Sequence, residues 1–205
     1  MVERQIAARG IRNPRVLAAM RQVPRHFFVP PPYDRSAYDD NPLPIGNGQT
    51  ISQPYIVAVM TELLDPQPED RILEIGAGSG YQAAVLAALT RNIITMERIP
   101  AVAELARSNL GNLGITNVTL IIGDGTTGHP GSAPYDGILV TAATPQIPQP
   151  LLSQLKDGGR LVAPVGGREI QELVRATRNG DRFVETRHGG VRFVPLIGRY
   201  GWEGS

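Results

Sequence analysis

Between Arg71 and Tyr81 the chain reads Arg-Ile-Leu-Glu-Ile-Gly-Ala-Gly-Ser-Gly-Tyr, an apolar run that breaks into three alternate glycines. Few architectures accept such a stretch. It predicts a buried strand, a turn stripped of side chains, and a helix beginning near Tyr81. Gly76, Gly78 and Gly80 would let a ligand approach bare backbone, whose amides at a helix N-terminus carry partial positive charge. In an open α/β sheet the turn lies at the carboxyl end of its strand, where cofactors bind.

The downstream sequence repeats that unit. Apolar runs at Ile72–Ile75, Ile93–Glu97, Val118–Ile122, Ile138–Val140 and Leu161–Val165 predict strands. Helical patterns fall between them at Tyr81–Leu89, Pro100–Asn112 and Ile147–Leu155, with Gly158-Gly159 as a break before the last strand. Near-continuous apolar strands belong to a parallel sheet covered on both faces. After Gly167 come short alternating segments, Glu172–Thr177, Phe183–Thr186 and Val191–Leu196, with Asn179-Gly180-Asp181 and His188-Gly189-Gly190 as turns. The fold class expected is α/β: a doubly wound, mostly parallel Rossmann-like sheet with N-terminal helices and a C-terminal antiparallel strand extension. At 205 residues a single domain is expected over 1–205. It would comprise N-terminal helices and a loop (1–53), a cofactor-binding core (54–166) and the strand extension (167–205).

The N-terminal part predicts helices at Val2–Ala8 and Pro14–Gln22, with six arginines before Phe27 on their wet faces. Val23 to Gln53 loses periodicity and reads as a long irregular segment, of the kind that forms lids or binding walls. Pro54 then opens a helix that Asp65-Pro66 ends near Leu64.

Two acidic residues bear on the cofactor. Glu97 closes the second strand about 20 residues past the glycines, where an acid can hold ribose hydroxyls. It also suits the N-terminus of the helix at Pro100. Asp124, in Gly123-Asp124-Gly125, closes the third strand at the same sheet edge. It can accept from an adenine amine, or simply make an Asp-Gly turn. Glu74, inside the first strand, needs a partner and is expected to accept from the glycine turn or nearby backbone. Dinucleotide sites use G-x-G-x-x-G, whereas the third glycine here comes one residue early. Together these features look like the class I S-adenosylmethionine-dependent methyltransferases.

The segments flanking the core narrow the resemblance. Val23-Pro-Arg-His-Phe-Phe-Val-Pro30, Pro44-Ile-Gly-Asn-Gly-Gln-Thr-Ile-Ser-Gln-Pro54 and Leu73-Glu-Ile-Gly-Ala-Gly-Ser-Gly-Tyr-Gln-Ala-Ala84 closely resemble protein-L-isoaspartate O-methyltransferases. So do Pro134–Ile138, Gln154–Val162 and Val191–Leu196, so the match is collinear over nearly the whole chain. The resemblance implies an enzyme that methylates the free α-carboxylate of L-isoaspartyl residues in damaged proteins, with repair to aspartyl through a succinimide. It implies S-adenosyl-L-methionine as cofactor and S-adenosyl-L-homocysteine as product. It assigns Ser52 as catalytic and Thr50 and Ile51 to the same wall beside the cofactor. By the same resemblance Gly76, Gly78 and Gly80 would cradle the cofactor, Glu97 would hold its ribose, and Asp124 with Gly125 would hold its adenine end. Val191–Leu196 helps close the peptide cleft. Gln53 stands where a small residue is usual and Tyr55 where histidine is frequent, which bears on peptide preference or the fit near the cofactor. Taken without the resemblance, Ser52 before Pro54 is a candidate helix cap.

The chemistry accounts for what the chain lacks. An isoaspartyl α-carboxyl has a pKa of roughly 3.5 and is already ionised at neutral pH. It can attack a sulfonium methyl without a general base, so alignment and exclusion of water remain. A neutral hydroxyl orients one carboxylate oxygen without blunting the nucleophile. His26, His129 and His188 are too scattered for a triad or metal site, and no cysteine offers a thiolate. A net charge of +1 gives no strong pull toward nucleic acid or membrane, and neither partner is expected. With no apolar N-terminal segment, a soluble, cytoplasmic monomer acting on isoaspartyl peptides and proteins is expected. Competing readings are a carboxyl methyltransferase for aspartate in one dedicated peptide, a methyltransferase for RNA or a small molecule, an NAD-dependent oxidoreductase, and a cofactor-binding module without turnover.

Overall fold

A computed structural model describes residues 1–203. Its centre is a seven-stranded sheet in the order β5-β4-β3-β6-β7-β8-β9. The strands are β3 (Arg71–Ile75), β4 (Asn92–Glu97), β5 (Val118–Ile122), β6 (Tyr135–Val140), β7 (Leu155–Gly166), β8 (Gln171–Asn179) and β9 (Arg182–Val191), and a separate hairpin joins β1 (Leu43–Gly46) to β2 (Gln49–Ile51). Strands β3 to β7 run parallel, and β8 and β9 add antiparallel. The helices are α1 (Pro14–Gln22), α2 (Pro54–Leu64), α3 (Tyr81–Ala87), α4 (Pro100–Asn112) and a short α5 (Gln149–Ser153).

The period-2 alternation of the strands sorts their side chains between two covered faces. Ile72, Ile93, Leu139, Val162 and Leu173 pack with Met60 and Leu64 of α2 and Leu86 of α3. Leu73, Ile75, Ile138, Val140 and Leu161 pack with Leu151 and Leu152 of α5 and with Leu196. The N-terminal segments lie on the first side, where Ile6, Val16, Met20 and Phe28 join Tyr81, Val85 and Leu110 in one apolar cluster. Strand β3 is flanked by β4 on one side and β6 on the other, so the chain reverses its direction of winding there.

Several expectations change. Residues 2–9 form one wide π turn (Val2–Ile6) followed by a 3-10 turn (Ala7–Arg9), because Gly10 ends the helix in the left-handed region. Of the six early arginines, Arg25 does not face water. It is fully buried, donates through Nε to the Ala37 carbonyl at 2.8 Å, and stacks 4.9 Å from the Tyr81 ring centroid. Burial lowers its pKa to about 10, which leaves it a cation. The segment 23–53 is not structureless. Asn47 and Gly48, both with positive φ, make the two-residue turn of the β1–β2 hairpin. The expected break at Gly158-Gly159 is a bulge inside one long strand, since Tyr135 pairs with Leu155 and Gly137 with Arg160. The helix expected over 147–155 shrinks to Gln149–Ser153 because its end joins β7. His188-Gly189-Gly190 is likewise a bulge in β9, not a turn, and residues 192–196 leave the sheet to cross the carboxyl end of β6. No helix among the described residues is long and apolar enough to cross a membrane.

Candidate active site

The reversal at β3 leaves a crevice at the carboxyl ends of β3, β4 and β6, the place where open α/β sheets bind ligands. A cleft of about 260 Å³ occupies it, with Gly76–Ser79 after β3, Glu97–Ile99 after β4 and Thr141-Ala142 after β6 as its floor. Residues 48–52 and 194–197 wall it from above.

The glycine turn differs from expectation in one respect that bears on the ligand. Its glycine amides are engaged: Gly76 and Ala77 both donate to the Met96 carbonyl at 2.8 and 3.1 Å, and Gly80 donates to Ala77. Gly78 donates to Oε2 of Glu97 at 3.1 Å. A pyrophosphate would need such amides unoccupied. With its glycine amides engaged, this turn offers shape more than an anion site, which fits a nucleoside cofactor that carries no phosphate. Gly76 sits at φ +97°, where a Cβ would lie 2.5 Å from Oγ1 of Thr141. That hydroxyl is tied to the Ile75 and Gly76 carbonyls and cannot easily retreat.

Glu97 is nearly buried and bridges two elements. Besides the bond from Gly78, its Oε1 accepts from the Ile99 amide at 3.0 Å, at the start of α4. A carboxylate has about four acceptor positions. Two are filled by backbone, and the residue lines the cleft, so capacity remains for a pair of vicinal hydroxyls. Glu74 lies beneath, fully buried, and its partner is the Thr95 hydroxyl on the adjacent strand rather than the glycine turn. Burial pushes its pKa up to about 8, the nearby Glu97 charge adding and the Thr95 bond opposing. Glu74 is therefore a neutral acid at pH 7.

The unfolded chain ionises this carboxyl near 4.5 while the fold keeps it protonated to about 8. Folding then binds the extra proton across that interval, and stability is lost as pH rises through it, at up to about 1.4 kcal/mol per pH unit. Glu74→Gln should lack this slope. Urea unfolding at pH 5 and pH 8 should show wild type falling relative to the variant, and an equal pH dependence would refute the assignment.

The hairpin supplies the opposite wall. It lays Ile45 over Gly78 and carries Thr50, Ile51 and Ser52 to the cleft. A second cleft, about 530 Å³, runs between this wall and the C-terminal strands, past Pro42, Ile56, Ile170 and residues 190–194. Thr50, Ser52, Thr141 and Val194 line both clefts, so the two meet there. Ser52 is not the helix cap its position suggests. Gln53 occupies the cap position without a side-chain capping bond, and the Ser52 hydroxyl makes no hydrogen bond among the described residues. The Gln53 side chain lines the second cleft, and Tyr55 lies under the Arg9 guanidinium.

Ser52, Thr50, Ile51, Gly76, Gly78 and Glu97 thus come together, whereas Gly80, Asp124 and Gly125 do not line the cleft. Gly80 packs against Leu110 and Ala106 of α4, and a Cβ on Gly125 would meet Ile75 at 2.5 Å. Asp124 clasps the chain's own end: Oδ1 accepts from the Thr126 amide and hydroxyl, and Oδ2 from the Arg199 amide at 2.8 Å. Burial would raise its carboxyl, but those bonds and the Arg98 charge outweigh it and hold it below the usual carboxylate range. Thr141 is a wall residue that sequence reading missed. Only its place after β6, at the reversal of winding, would have marked it. None of the three histidines lines either cleft. Among the described residues no three His, Cys, Asp or Glu side chains gather where they could hold a metal ion.

Residues 1–201 match the family model for protein-L-isoaspartate(D-aspartate) O-methyltransferase. The chain belongs to this family. A protein-L-isoaspartate O-methyltransferase of Methanoregula boonei is 70% identical over 99% of this chain and 94% of its own length. That of Methanospirillum hungatei is 66% identical over the same shares. A solved protein-L-isoaspartate O-methyltransferase superposes with a TM-score of 0.89 at 30% identity, covering 98% of this chain and 67% of its own. A Plasmodium falciparum protein of the family, solved with S-adenosyl-L-homocysteine, gives 0.83 at 25% identity over 96% of each chain. The family's use of S-adenosyl-L-methionine agrees with a cleft floored by a turn whose glycine amides are engaged within the chain.

Proposed function

We propose that this chain is a protein-L-isoaspartate O-methyltransferase in which the cleft over the glycine turn holds S-adenosyl-L-methionine and the cleft beyond Ser52 holds the damaged peptide. The observation that carries this reading is the meeting of the two clefts at Ser52, whose hydroxyl no other described residue uses. When bound, S-adenosyl-L-methionine supplies an electrophilic methyl on a sulfonium. Glu97 would hold its ribose hydroxyls, and Gly76 and Gly78 give it room against the turn.

The chain's own contribution is positional. Ser52 donates to one oxygen of the isoaspartyl α-carboxylate and turns the other toward the first cleft. No proton needs to move, because the nucleophile is already an anion. This agrees with walls that, among the described residues, hold no histidine and no ionisable groups besides Tyr81, Glu97, Arg98 and Arg192. Ile51, Val194, Pro195 and Leu196 cover the junction and exclude water, which strengthens the orienting bond. The proposed enzyme is a monomer with residues 1–205 as one methyltransferase unit, in keeping with both clefts being lined by this chain's own residues. Asp124 would act at the adenine end through the segment it clasps. The adjacent backbone nitrogen then attacks the methyl ester carbonyl, loses its proton and expels methanol to close a succinimide, whose hydrolysis returns part of the residue to aspartyl.

Matched peptides with isoaspartate or aspartate at one position test the reading by mass-spectrometric methyl transfer. The isoaspartyl peptide should be methylated and its partner left intact. Equal rates would point instead to a carboxyl methyltransferase for ordinary aspartate, and no transfer to either would remove the enzymatic reading.

A further inference from the structure

A helix that starts at Pro54 leaves its next amide, on Tyr55, without an intrahelical acceptor. Ser52 and Gln53 are the local candidates to satisfy it, and neither does. The acceptor comes from another segment. Asp40, in the turn before β1, receives the Tyr55 amide on Oδ1 at 3.0 Å and the Gln53 side-chain amide on Oδ2 at 2.6 Å. The same Oδ2 pairs with Nη1 of Arg9 at 2.5 Å, and that guanidinium lies 3.4 Å from the Tyr55 ring centroid. From behind, buried Arg25 donates to the carbonyls of Ala37 and Asn41, which fixes the backbone that carries Asp40.

One carboxylate therefore grips the residue after Ser52 and the first free amide of α2. We infer that Asp40 is the positioning residue of Ser52: it takes over the capping duty and so leaves the serine hydroxyl pointing into the junction of the two clefts. Without Asp40, Ser52 becomes the nearest hydroxyl able to cap α2, and turning to do so withdraws it from the substrate. Asp40 does not line the cofactor cleft, so its effect is on turnover and not on cofactor affinity.

The inference rests on the role proposed for Ser52, and a double-mutant cycle separates the two. Asp40→Ala should lower kcat about 20-fold or more, since small misplacements of an orienting group are costly, with cofactor affinity unchanged within about twofold. Asp40→Asn keeps an acceptor for the Tyr55 amide and should recover most of the loss. In a Ser52→Ala background, where there is no hydroxyl to misplace, Asp40→Ala should cost less than about threefold. Additive losses in that background, or an Asn variant as damaged as the Ala variant, would overturn the inference. Asp40→Glu, which keeps the charge but moves the acceptor by a methylene, serves the same cycle if Asp40→Ala does not fold. A Ser52→Ala variant with full turnover would sink the serine's role and the Asp40 inference together, whereas an additive cycle with a damaged Ser52→Ala sinks only the latter.

Discussion

Ser52→Ala is expected to lower turnover of an isoaspartyl peptide by roughly 10²-fold while S-adenosyl-L-methionine affinity stays within about twofold. A hydrogen bond to a charged partner is worth about 1.5–3 kcal/mol, and each 1.4 kcal/mol of barrier is a factor of ten. The bond alone therefore accounts for roughly 10- to 10²-fold, and loss of carboxylate orientation adds to it. Stability should change by less than about 0.5 kcal/mol, because the hydroxyl makes no bond among the described residues and its removal leaves none of them unsatisfied. Single-turnover measurements at saturating cofactor, with calorimetry of cofactor binding, decide the matter. A loss that appears mainly in cofactor affinity would place Ser52 among the groups that bind the nucleoside, and a change below threefold would remove it from the reaction.

Where the sequence carried strong local punctuation, the structure follows it. Proline at the first helical position fixes the starts of α1, α2 and α4, and Asp65 in the left-handed region ends α2 where expected. The parallel strands were legible because both faces are buried and their apolar runs are nearly unbroken. Glycine was the ambiguous symbol. At Gly158 and Gly189 it marks bulges within strands, while at Gly180 it marks a true hairpin turn. One-dimensional spacing cannot separate these, because a bulge is defined by the partner strand. The hairpin at Asn47-Gly48 had the right dipeptide, but its flanking strands are only four and three residues long and interrupted by Pro44.

The site was legible in the same uneven way. Glu97 could be placed by its distance from the glycines, and Ser52 by resemblance. That the serine hydroxyl is free follows from Asp40, thirteen positions before Gln53, and no local pattern announces that bond. The glycine spacing suggests a donor of amides, and in the structure those of Gly76, Ala77 and Gly78 close the turn on Met96 and Glu97. Asp124 shows the same limit: an acid at a strand end faces the ligand or its own chain according to what folds back over it, and here residues 198–201 do.

Glu97→Ala is expected to do the reverse of Ser52→Ala, weakening S-adenosyl-L-methionine about 10²- to 10⁴-fold while leaving turnover at saturation nearly intact. Two charge-assisted bonds to a ribose diol, at about 1.5–3 kcal/mol each, set that range. The carboxylate also anchors the Gly78 and Ile99 amides, so the loss could arise from a loosened turn instead of a missing ribose contact. A cofactor analogue without the two ribose hydroxyls distinguishes these causes. If Glu97 acts on the diol, the analogue binds wild type and Glu97→Ala with nearly equal affinity, because the deleted groups are each other's partners. If it acts through the turn, the analogue loses as much as the natural cofactor does. Glu97→Gln sharpens the comparison, since an amide can accept from only one of the two backbone donors and presents an N–H to the other. It should bind the natural cofactor more weakly than wild type and melt at a lower temperature. Calorimetry showing unchanged cofactor affinity for Glu97→Ala would overturn the ribose assignment outright, and the glycine turn would then hold the cofactor by shape alone.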